Sequence, residues 1–200
     1  MAVTLAEPAV LAAAKDTLYP DIDSSPDQYA VTETQFTQST WGGWTIPDAL
    51  RDRLAPYNTI RLNAGEPDLL GVGRPATDVL NGDAPTTPVS VIEAKGDNSD
   101  PAAADVARGI TQAHAHLPEV NLGYVAAPAA SITDTARAQA RSLNVGVIAV
   151  KDTETARVVE PARVTGAGEF STTIDAVRLQ ATTHRLTDGS FPVNHPKNYL

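Results

Sequence analysis

Three short apolar runs constrain the second half of this chain more than any other feature. They are VSVIEAK (residues 89–95), NLGYVAAP (121–128) and NVGVIAVK (144–151). Each has the length of a strand buried on both faces, and all carry Val. Two helical patterns separate them. DPAAADVARGITQAHAHL (100–117) offers Asp100 as a cap and Pro101 at the first helical position. SITDTARAQARSL (131–143) opens with a Ser-x-x-Asp capping pattern. Strands that alternate with crossover helices run parallel, because each helix returns the chain to the end from which the last strand started.

Upstream the connections shorten. NTIRLNAG (58–65), PDLLGVG (67–73) and VSVIEAK read as strands joined by turns, one of which holds the pair Asn81-Gly82. An antiparallel three-stranded meander over 59–95 is expected. The fold class is therefore α/β, an α+β mixed sheet. Before the meander, IPDALRDRLAPY (46–57) puts Ile46, Leu50 and Leu54 on one helical face, with Pro47 in its first turn. Residues 6–18 form a further helix ended by Tyr19-Pro20. Residues 21–28 read as loop, 29–36 as a loosely alternating strand, and STWGGWT (39–45) as a turn. The reading divides the chain into an N-terminal helix and loop extension (1–45), a core (46–150), and a C-terminal strand, helix and tail (151–200). Within that last part, 154–164 is the strand and 170–181 the helix.

Composition narrows the partners. Apolar residues make up 42% of the chain, as in globular proteins, and no apolar run approaches the length of a membrane span, so no membrane partner is expected. Glu7 stands where an export signal would carry positive charge, and a cytoplasmic location follows as the expectation. With no cysteine there are no disulfides and no thiolate metal ligands. The formal net charge is −9, and the excess of acids lies in residues 1–100. Lys15, Lys95, Lys151 and Lys197 are the only lysines. Abundant Asp, Ala, Thr and Val with few lysines resemble the composition of halophilic proteins, whose acidic surfaces keep them hydrated. At ordinary ionic strength such a charge opposes nucleic-acid binding, but molar salt screens it within a few ångströms.

Against that background, VIEAKGD stands out. Glu93 and Lys95 are two apart on a strand and so share a face. Asp68 opens the neighbouring strand of the meander, in GEPDLLGV, at the same end of the sheet. Two carboxylates that close raise each other's pKa unless a positive charge lies between them. Mg2+ (or Mn2+) meets that need, since it takes oxygen ligands from one or two carboxylates, waters and phosphate. Lys95 is then placed to orient or deprotonate a water, or to stabilise an attacked phosphate. The plain alternative is a rim salt bridge worth about 0–1 kcal/mol, with Asp68 a turn residue after Pro67.

The pattern Pro67-Asp68 followed by Glu93-Ala94-Lys95 resembles the PD-(D/E)xK nuclease superfamily. The resemblance spans about 80 residues, 46–127, and implies a restriction-endonuclease-like core: helix, three-stranded antiparallel meander, helix, parallel strand. It implies that Asp68, Glu93 and the Ala94 carbonyl bind the metal. It also implies that Gln112, on the following helix, supports Lys95 or the water, with His116 where many members carry a tyrosine. Asp48 is a looser counterpart of an acid often found on the first core helix. The implied activity is a Mg2+-dependent endonuclease acting on nucleic acid, most naturally DNA, and the implied assembly is a homodimer. The alternative is a non-catalytic module of the same fold, a DNA-binding or protein-interaction subunit.

The remaining candidates have simpler readings. His114 and His116 are two apart on a helix and do not share a face. Arg137 and Arg141, one turn apart, suit a solvated helix face better than phosphates. GVGRPA (71–76) lacks the helix that a dinucleotide loop requires. Trp41 and Trp44 flank two glycines, where core packing competes with stacking on a base.

Overall fold

A computed structural model describes residues 4–20, 22, 28–54, 62–76, 80–81, 88–97 and 102–165. In chain order the elements are α1 (Glu7–Leu18), β1 (Tyr29–Thr32), β2 (Thr40–Trp41), β3 (Trp44–Thr45), α2 (Asp48–Arg53), β4 (Leu69–Val72) and β5 (Leu80–Asn81). They continue with β6 (Val89–Ala94), α3 (Ala102–His116), β7 (Leu122–Pro128), α4 (Asp134–Ser142), β8 (Val145–Val150), β9 (Ala156–Glu160) and β10 (Ala162–Arg163). No helix among the described residues is long and apolar enough to cross a membrane.

One mixed sheet of six strands organises the chain, in the order β1-β4-β6-β7-β8-β9. β6, β7 and β8 run parallel, as the alternating helices require. β4 runs antiparallel to both its neighbours, β1 and β6, and β9 closes the far edge antiparallel to β8. The chain is thus α/β with a mixed sheet.

Alternation along the strands sorts the core into two sides. On one face Leu69, Ile92, Ala94, Tyr124, Ala126 and Ile148 join Val10, Leu11, Ala14 and Leu18 of α1. On the other, Val125, Ala127, Val145 and Val147 meet Val106, Ile110 and Ala113 of α3 and Ala136 and Ala140 of α4. α1 has almost no polar side, and its run Pro8–Lys15 is buried throughout. A helix apolar all round belongs inside, which makes α1 a layer of the core.

This corrects three expectations. The third antiparallel strand is β1 at 29–32, paired with β4 from Tyr29–Val72 to Thr32–Leu69. The segment around Leu62 supplies only an isolated bridge, Leu62 to Gly65, and 58–61 lie outside the described residues. Ile60 and Leu62 with Arg61 between them resembled a strand, but Tyr29, Ala30 and Val31, all buried, are the residues that pair with β4. Residues 7–18 and 29–32 therefore belong to the sheet and its covering layer rather than to an extension. Third, α4 is capped by Thr133, whose Oγ1 accepts the Ala136 N–H at 3.1 Å, while Ser131 ends a 3-10 turn. The cap at Asp100-Pro101, Gly82 of the Asn-Gly pair, the 170–181 helix and the tail lie outside the described residues, while Asn81 ends β5.

Candidate functional site

The β4–β6 register builds the centre of the site. Leu69 pairs with Ile92, so Asp68, one residue before β4, comes level with Glu93. The Ala94 N–H donates to Asp68 Oδ2 at 2.7 Å, which locks the Asp68 carboxylate across the two strands. Beyond β6 the Lys95 N–H donates to the Ala126 carbonyl at 2.9 Å, so the lysine backbone is held by β7. Lys95 Nζ stands 4.0 Å from Asp68 Oδ2 and 3.7 Å from Glu93 Oε2. Asp68 and Glu93 are 6% and 2% exposed, which removes this arrangement from the class of solvated rim ion pairs. Burial, then the Glu93 charge, push the Asp68 carboxyl well above the usual carboxylate range, against the pull of Lys95.

α3 completes the setting. His116, its last residue, is buried, with Nε2 at 3.3 Å from Glu93 Oε1. The two oxygens of Glu93 are therefore divided between His116 and Lys95. Gly109 lets the lysine stem lie against the helix: a Cβ there would stand 3.1 Å from Lys95 Cε and 2.7 Å from Val125 Cγ2.

A further acid, Glu7, comes from α1. Gly96 touches the backbone at the start of that helix so closely that a Cβ would lie 2.7 Å from the Glu7 nitrogen. Next to it, the Leu5 N–H donates to Asp97 Oδ2 at 2.8 Å, and the Asp97 N–H donates to the Leu5 carbonyl at 2.9 Å. The residues after Lys95 thus clamp Glu7 beside it. Burial raises the Glu7 pKa to about 7, with Lys95 opposing and Glu93 adding to the rise.

A cavity of about 360 Å³ opens onto this cluster. Lys95 and Gly96 line it, with Glu7 from α1 and Asp105, Arg108 and Gln112 from α3. Trp41 and Gly42 of the β2–β3 hairpin complete the wall. Asp68 and Glu93 do not line the cavity; Lys95 is the group that touches both the cavity and the two acids.

Asp68, Glu93, Ala94 and Lys95 are thus brought together, and Gln112 shares the cavity with Lys95. Asp48 is not part of the site: it is exposed on α2 and pairs with Arg51. Glu7 stands on the first helix of the core in its stead. Arg137 and Arg141 both reach Glu160 on β9, at 3.6 and 2.7 Å. His114 is exposed and places Nδ1 2.8 Å from the Leu143 carbonyl, far in role from His116.

The donor set suits a hard cation. It offers carboxylate oxygens with one carbonyl, and Gln112 Oε1 is buried with no hydrogen-bond partner among the described residues. Side chains alone do not make a metal centre here: no three His, Cys, Asp or Glu among the described residues converge closely enough to hold an ion. An ion at this place would rely on the Ala94 carbonyl, waters and phosphate oxygens beside Asp68 and Glu93. No family model, curated protein or solved structure matches the chain.

Proposed function

We propose that this chain is a metal-dependent nuclease with a restriction-endonuclease-like core, hydrolysing phosphodiester bonds in DNA. The observation that carries the reading is the pair of buried carboxylates, Asp68 and Glu93, held level beneath the Lys95 ammonium. The succession α1, antiparallel β1-β4-β6, α3 and parallel β7 follows the order of the PD-(D/E)xK core and supports the same reading.

In this account Asp68, Glu93 and the Ala94 carbonyl hold Mg2+ or Mn2+. When bound, the ion would supply positive charge beside the phosphate and acidify a water. Lys95, on the cavity wall, orients the attacking water and stabilises charge developing on the phosphoryl oxygens. Gln112 Oε1 accepts a hydrogen bond from that water. His116 fixes one oxygen of Glu93 and leaves the other toward Lys95. The water oxygen forms the new bond to phosphorus as the bond to the leaving sugar oxygen breaks; the attacking water gives up a proton to solvent, and the leaving oxygen takes one from solvent. The acidic composition fits a salt-rich cytoplasm, and a homodimer would place two such sites on one duplex.

The test is cleavage of plasmid DNA in concentrated KCl with Mg2+ or Mn2+. Wild type nicks or cuts the plasmid, and Lys95→Ala, folded by circular dichroism, loses at least about a hundredfold in rate. Equal background cleavage by both proteins sinks the reading.

One observation favours a second reading, a non-catalytic module of the same fold. Lys95 already supplies positive charge to both acids, and among the described residues side chains alone do not complete a metal site. Such a module binds DNA or a protein with the same affinity whether or not divalent metal is present.

A further inference from the structure

The cavity has an aromatic wall that the cleavage chemistry does not use. β2 and β3 form a two-residue hairpin in which Trp41 pairs with Trp44 across the ladder. Paired residues point to the same face of the hairpin. Gly42 and Gly43, at φ 54° and 84°, supply the left-handed turn that this hairpin needs. Trp41 is anchored: its ring stacks on Phe36 at 6.2 Å between centroids, and its Nε1–H donates to Gln35 Oε1 at 3.4 Å. Phe36 itself is fully buried. Trp44, by contrast, is 39% exposed and is the only exposed large apolar side chain among the described residues. Trp41 and Gly42 line the cavity, and Trp44 is paired with Trp41 in the ladder and exposed.

The chemistry around the hairpin selects what it meets. Trp41 lines the same cavity as Lys95, and Arg108, exposed on α3, faces that cavity too. Two cations there offer phosphate contacts. Glu7 and Asp105 oppose them, and the chain carries −9 overall, so charge alone holds a polyanion poorly. Stacking of a base on indole does not depend on that balance and contributes about 1–3 kcal/mol per base. A base inside a duplex is already stacked and hides its faces, whereas an unpaired base offers them.

We propose that the Trp41–Trp44 hairpin is a stacking platform for an unpaired nucleobase next to the phosphate bound at Lys95. The substrate class is then DNA with single-stranded or splayed nucleotides, in preference to continuous duplex. This rests on the reading of the cavity as a nucleic-acid site, and it names which nucleic acid the site takes.

The chain's two tryptophans are both in the hairpin, so its indole fluorescence reports on this place alone. The experiment titrates wild type, Trp44→Ala and Trp44→Phe with oligothymidylate and with a blunt duplex, in concentrated KCl containing Ca2+. Oligothymidylate quenches wild type and binds more tightly than the duplex. Trp44→Ala weakens oligothymidylate binding about tenfold, while Trp44→Phe keeps most of the affinity. The inference is overturned if oligothymidylate does not bind, if duplex binds as tightly, or if Trp44→Ala binds as wild type does. Cleavage in Mg2+ is scored separately. Trp44-dependent binding without cleavage removes the nuclease reading and keeps the platform; cleavage with no dependence on Trp44 does the reverse.

Discussion

Leu5 and Asp97, 92 positions apart, hold each other by two hydrogen bonds: Leu5 N–H to Asp97 Oδ2 at 2.8 Å and Asp97 N–H to the Leu5 carbonyl at 2.9 Å. This clasp fixes the start of α1 against the chain leaving β6 and sets Glu7 beside Lys95. Asp97→Ala removes the side-chain acceptor and leaves the partly buried Leu5 N–H unpaired, at a cost of about 1–3 kcal/mol. Thermal unfolding should show that loss. It should come with weaker Mn2+ binding, because Glu7 is no longer held at the site. A full loss of stability with unchanged metal affinity would mean that Glu7 takes no part in the site.

Glu7 also makes stability depend on pH in a defined direction. Its pKa rises from 4.5 in the unfolded chain to about 7 in the fold, so the native state holds the extra proton between those values. Stability from this group is therefore greatest at low pH and falls as pH rises from 4.5 to about 7, levelling above that. Asp68, also raised, acts in the same direction. Glu7→Gln mimics the protonated acid. Relative to wild type it should gain stability between pH 5 and pH 8 in metal-free buffer, read as melting temperature. A difference that stays constant across that range contradicts the assignment.

At Gly109 the helix and the lysine stem compete for one methyl's worth of space. Alanine would improve helix propensity by about 1 kcal/mol. It would also press on Val125 Cγ2 at 2.7 Å and Lys95 Cε at 3.1 Å, and overpacking of this kind costs about 1–3 kcal/mol. Gly109→Ala should lower both melting temperature and cleavage rate, and Val125→Ala added to it should restore the first more than the second. A rise in melting temperature with full activity would show that Lys95 is not held where the structure puts it.

His116 and Glu93 are both buried and 3.3 Å apart. His116→Phe keeps an aromatic ring but leaves Glu93 Oε1 without that partner, at a cost of about 1–3 kcal/mol in chemical unfolding. The cleavage rate should fall through metal affinity, with the deficit shrinking as Mn2+ is raised. His116→Gln should recover part of it. A rate deficit independent of Mn2+ would assign His116 to packing alone.

Where periodicity was strong, the sequence was a reliable guide. Within the runs at 89–95, 121–128 and 144–151 the strands Val89–Ala94, Leu122–Pro128 and Val145–Val150 are buried on both faces, as strands covered on both sides are. Asp68, Glu93 and Lys95 were legible because period-two spacing along a strand and antiparallel pairing of two apolar runs translate directly into register. Two other matters depended on partners far away in the chain. β1 joins β4 across an insertion that holds the tryptophan hairpin and α2, and nothing local in YAVT says which strand it will pair. Glu7 reaches the site because Gly96 lacks a Cβ and Asp97 holds Leu5. A Gly-Asp pair after Lys95 reads as an ordinary turn until the helix packed against it is known. His116 shares no helical face with His114, and its burial against Glu93 depends on where α3 ends over β6.

Mn2+ titration by calorimetry, on wild type and on Asp68→Asn in concentrated KCl, tests the central claim most directly. Asn keeps a side-chain oxygen to accept the Ala94 N–H, so the fold is spared while a charge is removed. If Asp68 and Glu93 with the Ala94 carbonyl hold a divalent cation, wild type gives a saturable binding heat, and Asp68→Asn binds at least about tenfold more weakly. Equal heats from the two proteins, or none from either, would contradict it.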